Sequence, residues 1–317
     1  MGVERRTIVF EHELLAGLEH PAFEARGTAP GPHLALLGGV HGCEYSSIAA
    51  VIRFMNELDA VELTGSITAV PVVSMQSFLE RSPFVVPADG KNLNRCFPGS
   101  YDGSYSDVLA RSIFDELIAP ADLVIDLHGG DLVEALEPFT VYEASPAEER
   151  ARALALAFGL PYVVREQPGE GGLGGMTSSA AARAGIPAII AEAGGCGQLE
   201  ASAVGLLVDG VRNALRSVGM LPGPVRPPRA EMRSVGSFLW LRCREAGWWE
   251  AAVGAGDEVP AGALLGRVKD LFGDVLEEIR APADGVVLFL TTSAAVGCDG
   301  LLLGLGTQLA PVAAAGA

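Results

Sequence analysis

The chain has 317 residues, of which 49 % are hydrophobic and 19 % charged, and its formal net charge is −17. This length and apolar content give a globular protein of one large domain or two, and the acidic balance argues against a nucleic-acid partner, which would need clustered lysines and arginines. No apolar run approaches the about 20 residues that cross a bilayer, the opening MGVERRTIVFEHELL turns acidic where a signal peptide is apolar, and five scattered cysteines make no disulfide framework. A cytoplasmic protein with no membrane partner is expected. A homo-oligomer is compatible with these features but is not read from them.

HLALLGG (33–39) is a short apolar run stopped by glycine, the pattern of a buried strand. YSSIAAVIRFMNELDA (45–60) sets Ile48, Val51, Ile52, Met55 and Leu58 on one stripe at helical spacing. GSITAVPVVS (65–74) reads as a strand, and 102–120 as a helix with Ser or Asp available to cap it. DLVIDLHGG (122–130) is another strand stopped by glycines. EPFTVYEAS is predicted as a strand, PAEERARALALAFG as a helix with proline in its first turn, and PYVVREQ as a strand. IPAIIAEAGG (186–195) is a further buried strand, and a helix follows over 198–218. This alternation predicts an α/β fold, a mostly parallel mixed sheet flanked by helices. After the proline-rich LPGPVRPPRA (221–230), short β-type runs alternate with Gly-Asp, Asp-Gly and Pro turns, which predicts a smaller C-terminal all-β domain.

Ligands of open α/β sheets bind beyond the carboxyl ends of the strands. The run 33–39 is followed by His41 and Glu44, 122–127 by His128, and 186–191 by Glu192, each beside glycines that allow close approach. Two imidazoles and a carboxylate are the donor set of a catalytic zinc site that keeps a fourth position for water. Such a water reaches a pKa of about 7, and Glu192 is the candidate to move its proton. H-x-x-E alone is a weak signal. His41 reads equally as a loop histidine, Glu44 as a charge favouring a helix N-terminus, and His128 as a core histidine. Their joint placement with Glu192 sharpens the reading, because an acid closing a buried apolar strand needs a partner. Asp126 is a candidate partner for the His128 ring or a competing ligand, and Asp131 forms H-x-x-D with His128. In DGKNLNRCFPGSYDG (89–103), Asn94 and Arg95 are adjacent, a pair suited to gripping a carboxylate. Arg81 is a candidate to stabilise an oxyanion formed at a carbonyl.

GGVHGCE, GKNLNRCFPG, DLHGG and AEAGG, in this order, resemble the succinylglutamate desuccinylase/aspartoacylase family of deacylases, which are related to the zinc carboxypeptidases. The resemblance covers about residues 33–220, and the β-rich C-terminal part also fits the family's second domain. It implies one Zn2+ per chain held by His41, Glu44 and His128. It also implies Asn94 and Arg95 as binders of the substrate carboxylate, Glu192 as general base and Arg81 as polariser of the scissile carbonyl. Cys43 is a departure, where a more polar residue such as Asn is expected. Cys96 and Cys196 read as small hydrophobes beside the motifs. The implied function is removal of an acetyl- or succinyl-type group from a small N-acyl amino acid or related amine. A zinc carboxypeptidase acting on the C-terminus of short peptides is one alternative, and a non-catalytic zinc-containing binding protein is another. No G-x-S-x-G elbow supports serine hydrolase chemistry.

VGAGDEVPAGALLGRV and IRAPADGVVLFLTTSAAVGCDGLLLGLG resemble the halves of a lipoyl- or biotinyl-type barrel, but RAPADGVV carries no lysine to modify. A cap over the active site is expected instead. The expected division is a catalytic domain over 1–222 and a capping, barrel-like β domain over 223–317. Trp248 and Trp249 are candidates to line the cap, with packing as their ordinary role. The glycine-rich EQPGEGGLGGMTSS (166–179) reads as an active-site loop or a hairpin turn.

Overall fold

The structure is a computed structural model and describes residues 2–167, 174–228 and 231–312. In chain order, the first half carries β1 (Val3–Ile8), β2 (His20–Arg26), β3 (Ala29–Gly38), α1 (Tyr45–Glu57), β4 (Thr64–Val70), α2 (Met75–Glu80), α3 (Tyr105–Ile113), β5 (Leu123–His128), β6 (Glu134–Leu136) and β7 (Phe139–Glu143). There follow α4 (Glu148–Phe158), β8 (Tyr162–Glu166), α5 (Thr177–Arg183), β9 (Ala188–Glu192) and α6 (Ala201–Ser217). The remainder is all strand: β10 (Arg233–Arg242), β11 (Gly247–Ala251), β12 (Glu258–Val259), β13 (Leu264–Lys269), β14 (Val275–Arg280), β15 (Gly285–Thr291), β16 (Ala295–Val296) and β17 (Leu301–Pro311).

A mixed sheet of 13 strands runs in the order β1-β2-β4-β3-β5-β9-β7-β8-β10-β17-β15-β12, with β6 added on β15. Strands β4, β3, β5 and β9 are parallel neighbours at its centre, buried on both faces. β7 runs antiparallel to β9, and β8 and β10 continue parallel to β7. Helices α1, α4 and α6 cover one face through a core that includes Leu36, Phe54, Leu127, Phe158 and Leu207. α3 and α5 cover the other through Leu37, Val70, Leu109, Ile113 and Ala181. Side chains such as Val51, Phe54 and Met55 are fully buried, and each contributes about 1.5–3 kcal/mol relative to exposure.

The predicted α/β elements are present, with differences that have physical causes. Ile52, placed on the apolar stripe of α1 by spacing, is 41 % exposed, because the buried stripe runs through Ile48, Val51, Phe54 and Met55 instead. The helix expected over 102–120 starts later, behind a capping box formed by Ser104 and Asp107, and widens to a π-helical turn over Phe114–Ile118. β1 carries no buried apolar run; it is an edge strand with Glu4, Arg5 and Arg6 exposed.

The sheet does not stop at residue 222. β10 pairs in parallel with β8 (Val235 opposite Val164), and β6 pairs with β15 (Leu136 opposite Phe289). A separate four-stranded sheet, β14-β13-β11-β16, shares an apolar core with β15 and β17 that contains Trp249, Leu265, Val268 and Leu303. Trp249 is therefore a core residue and Trp248 is 46 % exposed. Neither lines the large cavity described below. Residues 168–173 of the glycine-rich segment lie outside the described residues; Thr177 begins α5.

Candidate active site

Three central strands end at one level. Gly38 of β3 stands opposite Leu127 of β5, and His128 stands opposite Glu192 of β9. Beyond Gly38 the chain turns sharply through Gly39, at φ +58°. It then passes Gly42, where a Cβ would lie 2.1 Å from the Phe78 backbone nitrogen, so no larger residue fits without displacing α2. This close passage sets His41 and Glu44 over the end of β5.

His41, Glu44 and His128 each offer one ligand atom, all within 4.8 Å of one another. Nδ1 of His41 lies 2.7 Å from Glu44 Oε1, and Nδ1 of His128 lies 3.0 Å from Glu44 Oε2. The opposite ring nitrogens are engaged elsewhere. His128 Nε2 donates to Asp126 Oδ2 at 2.9 Å, and His41 Nε2 donates to Asn92 Oδ1 at 3.0 Å. Asn92 Oδ1 also accepts from the Asn94 N–H (2.8 Å), and Asp126 accepts from Thr177 Oγ1, so both partners are fixed acceptors. Each ring thus carries a proton on Nε2 and turns Nδ1 to a carboxylate. Lone pairs so arranged repel unless a cation lies among them. Two imidazoles and a carboxylate are a donor set suited to Zn2+. Without the ion, protons take that role. Burial pushes both histidines down, but Glu44 carries His41 above its ordinary range, and Asp126 with Glu44 carries His128 well above it. Burial raises Glu44, but the two rings hold it down at about 2.

A cavity of about 500 Å³ opens over this cluster. Glu192 stands in its wall, its pKa raised well above the carboxylate range by burial, against His128, with Glu44, Glu134 and Asp126 adding to the rise. Asn94 and Arg95 sit in a single 3-10 turn, Leu93–Arg95, and both line the cavity. Asn94 Oδ1 accepts from the Thr177 N–H (3.0 Å), and Arg95 donates to the Asn94 carbonyl (2.7 Å) while facing Glu166 and Glu192. Burial pulls the Arg95 pKa down against those two carboxylates. Glu166 is pushed up to about 7 by burial, opposed by Arg95. Glu134 is likewise pushed up to about 7 by burial, with Glu44 adding to the rise.

Arg81 is the sequence-predicted residue that does not join the group. It closes α2 in a left-handed conformation (φ 55°), its side chain is exposed near Cys43 and Tyr45, and it is not among the residues lining the cavity. Asp131 is also drawn elsewhere: it accepts from the Phe84 N–H (2.7 Å) and the Leu132 N–H (2.6 Å). Cys43 is fully buried, and burial with Asp131 raises its thiol to about 11, so it stays protonated. All five cysteines are free.

The opposite wall comes from residues that the sequence reading passed over. Phe238, Trp240 and Arg242 alternate along one face of β10, and Phe289 and Thr291 along β15. Glu134 and Leu136 of β6 lie opposite Thr291 and Phe289. The rings of Phe238, Trp240 and Phe289 pack mutually at 5.1–5.9 Å, and Phe139 meets Phe238 edge-on at 5.8 Å. The signal for this wall was the period-2 pattern in SFLWLR, legible as a strand but not as a cavity face. Asn92 stood in view inside GKNLNR.

Residues 30–218 match the succinylglutamate desuccinylase/aspartoacylase catalytic domain. The chain is 31 % identical over 267 residues to the N-alpha-acetyl-L-2,4-diaminobutyric acid deacetylase of Halomonas elongata, covering 81 % of this chain and 77 % of that protein. Among solved structures, it resembles the product-bound ectoine utilization protein EutE (DoeB) from Ruegeria pomeroyi, with a TM-score of 0.84 and 25 % identity over 97 % of this chain and 96 % of that one. A succinylglutamate desuccinylase/aspartoacylase from Rhodobacter sphaeroides gives 0.81 and 25 %, over 99 % and 95 %. The chain belongs to the succinylglutamate desuccinylase/aspartoacylase family and is a hydrolase acting on N-acyl amino acids.

Proposed function

We propose that the chain is a Zn2+-dependent amidohydrolase that removes an acetyl- or succinyl-type group from a small N-acyl amino acid, with one ion held by His41, Glu44 and His128. The observation that carries this reading is the pair of Nδ1 atoms, 2.7 and 3.0 Å from the two oxygens of one carboxylate, with Glu192 and Arg95 in the same cavity. The substrate of the Halomonas relative makes N-acetyl-L-2,4-diaminobutyrate the first compound to try on this chain. When bound, the ion supplies Lewis acidity, polarising a carbonyl and making water acidic enough to deprotonate near neutral pH.

The chain's own groups do the rest. Arg95 takes the substrate carboxylate through its planar fork. Asn94, whose Oδ1 is occupied by the Thr177 N–H, adds a donor from its amide NH2. Glu192 accepts the proton of the attacking water and returns it to the departing amine nitrogen. Its raised pKa makes it a stronger base than an ordinary carboxylate, which suits both halves of that transfer. The aromatic wall keeps bulk water from the reacting amide and strengthens the charge interactions inside. Arg81, exposed outside the cavity, has no part in this scheme.

The test is amine release from a panel of N-acetyl and N-succinyl amino acids before chelation, after chelation, and after Zn2+ is restored. Activity is expected to vanish with the metal and return with about one ion per chain. A metal-free preparation that remains active overturns the reading. So does release of C-terminal residues from tripeptides with no turnover of N-acyl amino acids.

A further inference from the structure

Four glutamates line the cavity: Glu44, Glu134, Glu166 and Glu192. Under the proposed function, which this inference rests on, three have a task or a partner. Glu44 holds the metal, Glu192 moves the proton, and Glu166 faces Arg95. Glu134 has no such task. Its carboxylate meets the Asp131 backbone N–H, and the side chains acting on it are Glu44, His41, Asp131 and Glu192, with no lysine or arginine among these. An acid set among other acids costs stability, so a purely structural role would be served better by a neutral side chain.

The position is nevertheless tightly built. The Glu134 N–H donates to Asp131 O (3.1 Å), its carbonyl accepts from the Cys196 N–H (2.9 Å), and it lies opposite Thr291 across the β6–β15 pair. Gly130 and Gly195 both press on that carbonyl, where a Cβ would come within 2.2 Å and 2.3 Å. Acting on both Glu44 and Glu192, Glu134 stands near the groups to which the proposed function gives the metal and the proton. A second metal does not explain it. The His/Cys/Asp/Glu group able to hold an ion among the described residues is His41, Glu44 and His128, without Glu134. Trp240 and Phe289 line the same cavity, and the buried indole N–H of Trp240 has no partner among the described residues. An acid that shares a cavity with aromatic side chains offers an organic cation both a counter-charge and a π surface.

We infer that Glu134 determines side-chain specificity by receiving a primary ammonium on the amino-acid half of the substrate, so that short-chain N-acyl diamino acids are the favoured class. Because Glu134 lies next to the reacting centre, the ammonium must sit only a few bonds from the scissile nitrogen.

The experiment compares N-acetyl-L-2,4-diaminobutyrate with its uncharged isostere N-acetyl-L-norvaline, and with N-acetyl-L-aspartate, on the Zn2+-loaded protein and on Glu134→Gln. The unaltered protein is expected to favour the diamino substrate over the norvaline one by about 100-fold in kcat/KM. Glu134→Gln is expected to lose most of that preference through KM, and about one Zn2+ per chain with an unchanged Tm shows that the variant is folded and loaded. Glu134→Asp should restore part of the preference. Equal loss on both substrates, or no preference in the unaltered protein, overturns the inference while leaving deacylation intact. Failure to hydrolyse any N-acyl amino acid removes the proposed function and this inference together.

Discussion

At the scale of single residues, the site is a problem of where protons sit. Asp126 and Asn92 fix the Nε2 protons of His128 and His41, and so leave Nδ1 as the atom each ring would offer a metal. Asp126→Asn keeps an acceptor but loses the charge, and should weaken Zn2+ binding by about 10- to 100-fold, measured by competition with a chelator of known affinity. Glu134 gives a pH prediction for the metal-free protein. Its pKa rises from 4.5 to about 7 on folding, so the folded state holds this proton more tightly than the unfolded one. The proton's contribution is fully present below about 4.5 and is lost as pH rises through 7. Glu134→Gln should therefore be more stable than the unaltered protein above pH 7, by on the order of 2–3 kcal/mol, and no different near pH 4.5. Urea unfolding at both pH values checks this. His41, Glu44, His128 and Glu192 were legible in the sequence because glycines mark the strand ends that carry them. Glu134 and Arg242 were not, since nothing local distinguishes a cavity-facing charge from a solvated one.

At the scale of elements, strands buried on both faces announced themselves as apolar runs, and α1 and α6 by their period. The elements that escaped have weak apolar signatures. β1 is a charged edge, and α5 begins Thr-Ser-Ser, a sequence that reads as a loop although Thr177, Ser178 and Ser179 are all buried. Those polar side chains are tolerable inside because two of them have partners, Thr177 on Asp126 and Ser179 on Glu143. The turn after β3 is the element on which the site depends most. Gly42→Ala sets a methyl against the backbone of α2, which cannot rotate away as a side chain would. It should cost about 1–3 kcal/mol and displace His41 and Glu44. A lowered Tm together with weaker Zn2+ binding is expected, and an unchanged Zn2+ affinity would mean that the turn does not set the ligand geometry.

At the scale of the whole molecule, the sequence pointed to a boundary near the proline-rich stretch at 221–230, and the character of the chain does change there. The sheet, however, crosses it twice, through β8–β10 and β6–β15, and the apolar group of Phe139, Val141, Val164, Val235, Val286 and Leu288 draws on both sides. Long-range pairing of this kind leaves no local mark in a sequence, so the shared wall became visible only in the fold. We propose that residues 223–317 complete the active site as its aromatic face. Under the proposed function a carboxylate off the metal drives amide hydrolysis in this cavity, and Glu192→Gln is its sharpest test. With about one Zn2+ still bound per chain, amine release from an N-acyl amino acid should fall by about 100- to 10,000-fold. Turnover that survives the substitution with the metal in place would contradict it.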